Sequence, residues 1–189
     1  MTSRGRSEGT ARQVRATLFA GCLAWTALSH AAAPNLNAPP ISGELMVLDR
    51  TFDPARLETV QAKAEVVRKG RDAALKVVFK KGPNPWPNVR FPVPAGGWNL
   101  SAFGGAEVEV SNAGDAAVEA AMRVDNPGDW KDSPWNTEGV HLKPGETKTI
   151  RVIFGKHEGG QAFPLDPERV TSIQVFLNNP PKKATLILK

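Results

Sequence analysis

Apolar and polar positions alternate with a period of two along most of the chain after residue 44. The clearest run is at the centre. Val108 and Val110 alternate with Glu107, Glu109 and Ser111; then Val118, Ala120, Met122 and Val124 alternate with Glu119, Arg123 and Asp125. Such alternation marks a strand with one buried face. Asn112-Ala113-Gly114-Asp115 between them is turn chemistry, because Asn and Gly tolerate positive φ, and the expectation is a hairpin. Ala62, Ala64 and Val66 against Lys63, Glu65 and Val67 predict another strand, with Ala73–Phe79 as its partner. The Ala and Glu content of Arg56–Val67 leaves a short helix as the alternative there.

Further strands are predicted at Leu45–Phe52, Trp86–Val93, Glu138–Leu142, Thr147–Phe154, Ile173–Leu177 and Ala184–Leu188. The prolines of Trp86–Val93 place it at a sheet edge, since proline cannot donate to the ladder. Lys143-Pro144-Gly145-Glu146 is a turn with proline at its second position. About ten short strands without a sustained helical period imply an all-β, two-sheet sandwich.

The first 33 residues do not follow this pattern. Met1–Arg15 is polar and basic, Ala16–Leu28 is an apolar run of 13 residues, and Ser29–Ala33 supplies small residues. That is the three-part form of a secretory signal peptide with cleavage near Ala33, and the run is too short to span a bilayer. Phe19-Ala20-Gly21-Cys22 offers a second reading, a lipid-attachment site at Cys22. Residues 34–44, with the sequence PNLNAPP at their start, read as a linker, and 45–189 as the sandwich domain. The expected location is secreted or periplasmic, with no membrane span in the mature chain. Cys22 is the only cysteine, so a processed protein has neither disulfide nor thiolate chemistry.

Charge changes the picture once the leader is set aside. The chain has 24 basic and 19 acidic side chains; residues 1–33 carry four of the first and one of the second, leaving 20 and 18, a net +2. No basic stripe remains, and nucleic-acid binding is not expected.

Four tryptophans remain beyond residue 33. Trp98, beside Leu100 and Phe103, reads as an aromatic plug of the sandwich end. Trp130 and Trp135 lie in a polar loop after the central strand, and Trp86 on the polar side of its own strand. Flat aromatic surface suits the apolar face of a sugar ring, while nearby carboxylates, amides and guanidinium groups suit its hydroxyls. The candidate glycan contacts are therefore Trp130, Trp135, Asp125, Asn126, Arg123, Trp86 and Arg90. Packing anchors and a solvated polar face are the competing roles for the same residues. Asn88, Glu107, Glu109, Gln174 and Asn178 complete the polar non-core positions, and Arg123 and Asp125, two apart, are placed to pair.

Catalysis finds no support. His141 and His157 have no metal-site spacing, no G-x-S-x-G elbow occurs, and no carboxylate pair is marked as buried. No cofactor is expected. A structural Ca2+ held by Asp and carbonyl oxygens is the single metal considered, and no loop has a diagnostic ligand pattern.

Trp86-Pro87-Asn88-Val89-Arg90-Phe91, Gly97-Trp98-Asn99-Leu100-Ser101-Ala102-Phe103 and Arg123-Val124-Asp125-Asn126-Pro127-Gly128 occur in that order, followed by Pro144-Gly145-Glu146-Thr147 and the strand Ile173–Leu177. Together they resemble the N-terminal, carbohydrate-binding-module-like domain of exo-acting β-agarases, over roughly Leu45 to Lys189. The resemblance implies a jelly roll and binding of a galactan such as agar. In that family the domain precedes a catalytic (β/α)8 barrel; this sequence stops at Lys189, so binding without hydrolysis is expected. The reading is a secreted, monomeric, non-catalytic polysaccharide-binding module. The alternatives are a structural or protein-interaction domain of the cell envelope, and an accessory domain of a separately encoded agarase-like hydrolase.

Overall fold

Among the described residues ten β-strands make two five-stranded antiparallel sheets whose apolar faces pack together. The computed structural model describes residues 43–49, 51–69, 72–131, 135–155 and 165–189. All belong to Pro34–Lys189, one of two compact units of the chain. The predicted signal peptide, its cleavage point and Cys22 lie outside the described residues, as does nearly all of the linker. No helix among the described residues is long and apolar enough to cross a membrane.

The strands are β1 (Glu58–Val60), β2 (Ala62–Lys69), β3 (Asp72–Phe79), β4 (Asn88–Phe91), β5 (Gly105–Asn112), β6 (Val118–Asp125), β7 (Trp135–Leu142), β8 (Thr147–Ile153), β9 (Ser172–Leu177) and β10 (Ala184–Leu188). One sheet has the order β1-β4-β9-β6-β7, the other β2-β3-β10-β5-β8. The predicted two-sheet sandwich is therefore the observed architecture. Its core is the set of inward positions read from the alternation. Val108, Val110, Val118, Ala120, Met122 and Val124 are buried, and Val77, Phe79, Val89, Ile150, Val152, Ile173, Val175, Leu177, Leu186 and Leu188 join them.

Four expectations are corrected. First, β5 and β6 do not form a hairpin: β5 pairs with β8 and β10, β6 with β7 and β9, so the turn at 112–115 crosses from one sheet to the other. Alternation reports which side chains are buried, and two strands facing each other across a core bury theirs as well as two lying side by side. Asn112 shapes the crossing. Its buried amide nitrogen donates to the carbonyls of Ala116 (2.8 Å) and Leu142 (3.0 Å), and its Oδ1 accepts from the Gly114 N–H (2.9 Å).

Second, the described residues of Leu45–Phe52 form no strand; the short β1 stands at the sheet edge instead, with Pro54–Arg56 as a 3-10 turn before it. Leu45, Met46, Leu48 and Phe52 still pack on the core without pairing their backbone. Third, β4 is not an edge strand, because β1 pairs to its outer side. Pro87 and Pro92 sit just beyond its two ends, where no ladder donor is required. Fourth, β7 starts at Trp135 rather than Glu138, so Trp135 is a strand residue facing Asp125 of β6 and not a loop residue. Arg56–Val67 forms no helix; β2 occupies its second half, as the alternation predicts.

Candidate functional site

The outer face of the β1-β4-β9-β6-β7 sheet carries the polar half of each alternation. Antiparallel register aligns these positions in rows. One row runs Glu58, Arg90, Gln174, Arg123, Thr137, and the next runs Val60, Asn88, Phe176, Ala121, Gly139. Over this face lies a groove of about 400 Å3, lined by Asn84, Trp86, Asn88, Arg123, Trp130, Trp135, Thr137, Gln174 and Phe176. Its reach from β4 to β7 covers three inter-strand steps, about 14 Å.

Trp86 forms one wall, 55% exposed. The loop that carries it is held by a reciprocal amide pair: Gln61 Nε2 donates to the Asn84 carbonyl and Gln61 Oε1 accepts from the Asn84 N–H, both at 2.9 Å. Gln61 sits at φ +50°, a conformation unfavourable for a side-chain-bearing residue, between β1 and β2. Asn84 Oδ1 accepts from the Trp86 N–H (2.8 Å), and Asn88 Nδ2 donates to the Trp86 carbonyl (3.0 Å). The ring is thus exposed on a backbone that is bonded on both sides.

Trp130 and Trp135 form the opposite wall. Trp130 is 60% exposed. The indole N–H of Trp135 donates to the Trp130 carbonyl at 2.9 Å, which ties the loop to the first residue of β7. The Arg123 guanidinium lies 4.8 Å from the centroid of the Trp135 ring, within cation–π range, and Lys131 lies 5.8 Å from that of Trp130. Arg123 Nε donates to Asp125 Oδ1 at 2.6 Å and its Nη2 contacts the same oxygen. Asp125, Arg123 and Trp135 therefore form one stack, and one face of the Trp135 ring is covered by the guanidinium.

The seven candidates from the sequence separate on this geometry. Trp86, Trp130, Trp135 and Arg123 line one groove. Asp125 is not in the lining and engages Arg123. Asn126 is 5% exposed and lies outside the lining: its Nδ2 donates to the carbonyls of Asp166 (2.7 Å) and Arg169 (2.8 Å), and its Oδ1 accepts from the Asp166 N–H (2.6 Å). That clamp fixes the 3-10 turn Pro167–Arg169. Arg90 shares a row with Arg123 but lies outside the lining and pairs with Glu58 at 3.3 Å. Its exposure makes the pair a weak one.

Asn84, Thr137 and Phe176 line the groove without having been singled out. Phe176 had a signal, a large apolar residue at an outward position between Val175 and Leu177, both buried. Asn84 and Thr137 had none, because loop closure and strand pairing place them. Among the described residues no group of three or more His, Cys, Asp or Glu gathers as metal ligands would. No carboxylate is among the lining residues named above.

No family model and no curated protein matches the chain. Solved structures do. The fold is similar to part of an exo-β-agarase, with a TM-score of 0.59, 13% identity, and 76% of this chain covering 24% of that one. A second agarase matches at TM-score 0.59 and 11% identity, with 77% of this chain over 25% of that one. A family 11 carbohydrate-binding module from Clostridium thermocellum, solved with a β-1,3-1,4-mixed-linked tetrasaccharide, matches at TM-score 0.54 and 12% identity, with coverage of 75% of this chain and 90% of the module. The chain has a carbohydrate-binding-module-like sandwich fold. It spans about a quarter of the length of the two agarases. At these identities the likeness is one of fold.

Proposed function

We propose that this protein binds a polysaccharide in the groove on the outer face of the β1-β4-β9-β6-β7 sheet, and does not cleave it. The observation that carries the reading is the convergence of Trp86 with the sequence-distant pair Trp130 and Trp135 on one groove whose remaining walls are amides, a hydroxyl, Phe176 and a clamped guanidinium. Trp86 and Trp130 offer open aromatic surface for the apolar faces of sugar rings. Asn84, Asn88 and Gln174 carry amide donors and acceptors of the kind that hydroxyl groups require. Hydrolysis of a glycosidic bond uses two carboxylates flanking the bond, and the lining supplies none. The likeness to a module solved with an oligosaccharide supports a glycan as ligand, and the agarase likeness makes a galactan the first polymer to test.

An open site of this size loses most of its gross interaction energy to desolvation and lost freedom, so a Kd in the micromolar to millimolar range is expected, roughly −4 to −8 kcal/mol. A glycan array followed by isothermal titration on the exported protein tests the reading. Binding of a defined oligosaccharide that Trp86→Ala and Trp130→Ala weaken supports it. Absence of binding to every neutral and anionic glycan overturns it in favour of a structural or protein-interaction role in the envelope. Secretion through the residue 1–33 segment and a monomeric state belong to the same proposal. Mass spectrometry of the exported chain distinguishes cleavage near Ala33 from lipidation at Cys22.

A further inference from the structure

Resting on the glycan reading of this groove, we infer that Asp125 sets the charge class of the ligand: by cancelling Arg123 it makes the groove a site for uncharged glycans, and its removal turns the site toward sulfated or carboxylated ones. Among the described residues the lining contains one charged side chain, Arg123. Its guanidinium is pinned from two directions, by the Trp135 ring at 4.8 Å and by Asp125 Oδ1 at 2.6 Å from Nε. Nε and Nη2 both face Asp125, so Nη1 is the guanidinium nitrogen that no described contact engages. Both side chains are largely shielded, 18% exposed for Arg123 and 13% for Asp125. Their mutual field is therefore screened less by salt than that of a surface pair.

The other charges near the groove do not alter this balance. Arg90 is paired with Glu58 at 3.3 Å, and both are well exposed. Lys131 stands at the rim over Trp130, next to Asp129, whose carboxylate accepts from the Lys131 backbone N–H at 2.9 Å. These sites are solvated, and pairs or single charges there contribute little. Among the described residues Arg123 is the one cation placed at the groove floor, and a planar guanidinium freed from its carboxylate is the side chain best shaped to grip a sulfate or carboxylate. Asp125 touches no groove space itself; it acts through Arg123 as a positioning residue.

The experiment is native affinity electrophoresis of the full chain in gels containing lichenan or agarose, which are neutral, and κ-carrageenan or alginate, which are anionic. Wild type, Asp125→Asn and Asp125→Glu are run beside each other, with melting curves to confirm the fold. Wild type should be retarded by a neutral polymer and not by an anionic one. Asp125→Asn should shift the ratio of anionic to neutral affinity by tenfold or more, with the gain abolished at about 0.5 M salt. Asp125→Glu should restore the wild-type preference, which a merely structural role for Asp125 would not explain. Retardation of wild type by anionic polymers, or a folded Asp125→Asn with an unchanged ratio, overturns the inference while leaving glycan binding standing. A wild type retarded by none of the four overturns this inference, while the glycan array decides the glycan reading itself.

Discussion

The side-chain amide of Asn112, at the end of β5, donates a 3.0 Å hydrogen bond to the carbonyl of Leu142, at the end of β7 in the opposite sheet. One buried residue thus satisfies a carbonyl from each side of the corner at which the chain changes sheets. The Asn112 backbone adds two more bonds, accepting from Gly145 (2.8 Å) and donating to Glu146 (2.9 Å). Asn112→Ala should therefore leave the Leu142 and Ala116 carbonyls and the Gly114 N–H without partners, destabilising the protein by about 3 kcal/mol. Chemical unfolding of the two proteins measures it, and a loss below about 1 kcal/mol would show that water replaces the amide.

Asn126 separates structural from ligand-binding roles at the strand end. Its three hydrogen bonds all run to the 166–169 turn. Asn126→Ala should lower stability by about 2–3 kcal/mol and leave the Kd of the folded protein for an oligosaccharide unchanged within a factor of about three. Calorimetric melting and titration on one preparation report both quantities.

The tryptophans of the groove should not behave alike. Trp86→Ala and Trp130→Ala remove exposed rings and should each weaken glycan binding about tenfold, near 1.4 kcal/mol, with melting temperatures within a few degrees of wild type. Trp135→Ala removes a half-buried ring that supports Arg123 and bonds the Trp130 carbonyl, so it should weaken binding and lower the melting temperature together. Equal thermal losses in all three variants would mean that packing, rather than ligand contact, is their role.

Trp98 packs half-buried against the core, and its backbone bridges Val170 through bonds of 2.7 and 3.0 Å. Gly97 before it sits at φ +85°, where a Cβ would lie 2.6 Å from the Val170 carbonyl oxygen, so no larger residue permits this approach. Among the described residues the buried indole nitrogen of Trp98 has no hydrogen-bond partner. Trp98→Ala should cost about 3 kcal/mol, whereas Trp98→Phe should cost less than about 1 kcal/mol, because it removes an unsatisfied donor along with the second ring. The difference between the two unfolding free energies is the measurement.

At the turn between β7 and β8, the Lys143 backbone N–H donating to Glu146 Oε2 at 2.9 Å, with Lys148 Nζ 3.1 Å from the carboxylate, holds the Glu146 carboxyl below its ordinary 4.5. A carboxyl lowered in the folded state stabilises the fold above its unfolded pKa, and that contribution is lost as the pH falls through the folded value. Glu146→Gln should accordingly lower the melting temperature slightly at neutral pH, where the charged carboxylate contributes, and the gap to wild type should close as the pH falls below about 4.5. A pH series of melting curves for both proteins checks the sign.

The alternation of Val108 to Val124 and its counterparts determined which side chains form the core and that the fold is a sandwich, because period-two burial is a local property of an extended chain. The same local property placed Arg123, Gln174 and Asn88 on an outer face. Partner choice was not local. That β5 and β6 part company at Asn112 depends on two sheets closing over one core, which a turn sequence does not encode. The groove is a further step removed. Trp86, Trp130 and Phe176 meet because β9 pairs between β4 and β6, and the Trp86 loop stands where it does because Gln61, 23 residues earlier than Asn84, closes it. Asp125 and Asn126 were both legible as polar residues at a strand end. The two-residue spacing already placed Asp125 to pair with Arg123; only the packed structure decided that Asn126 turns to the 166–169 turn, since a buried polar group takes whichever partner the surrounding backbone brings within reach.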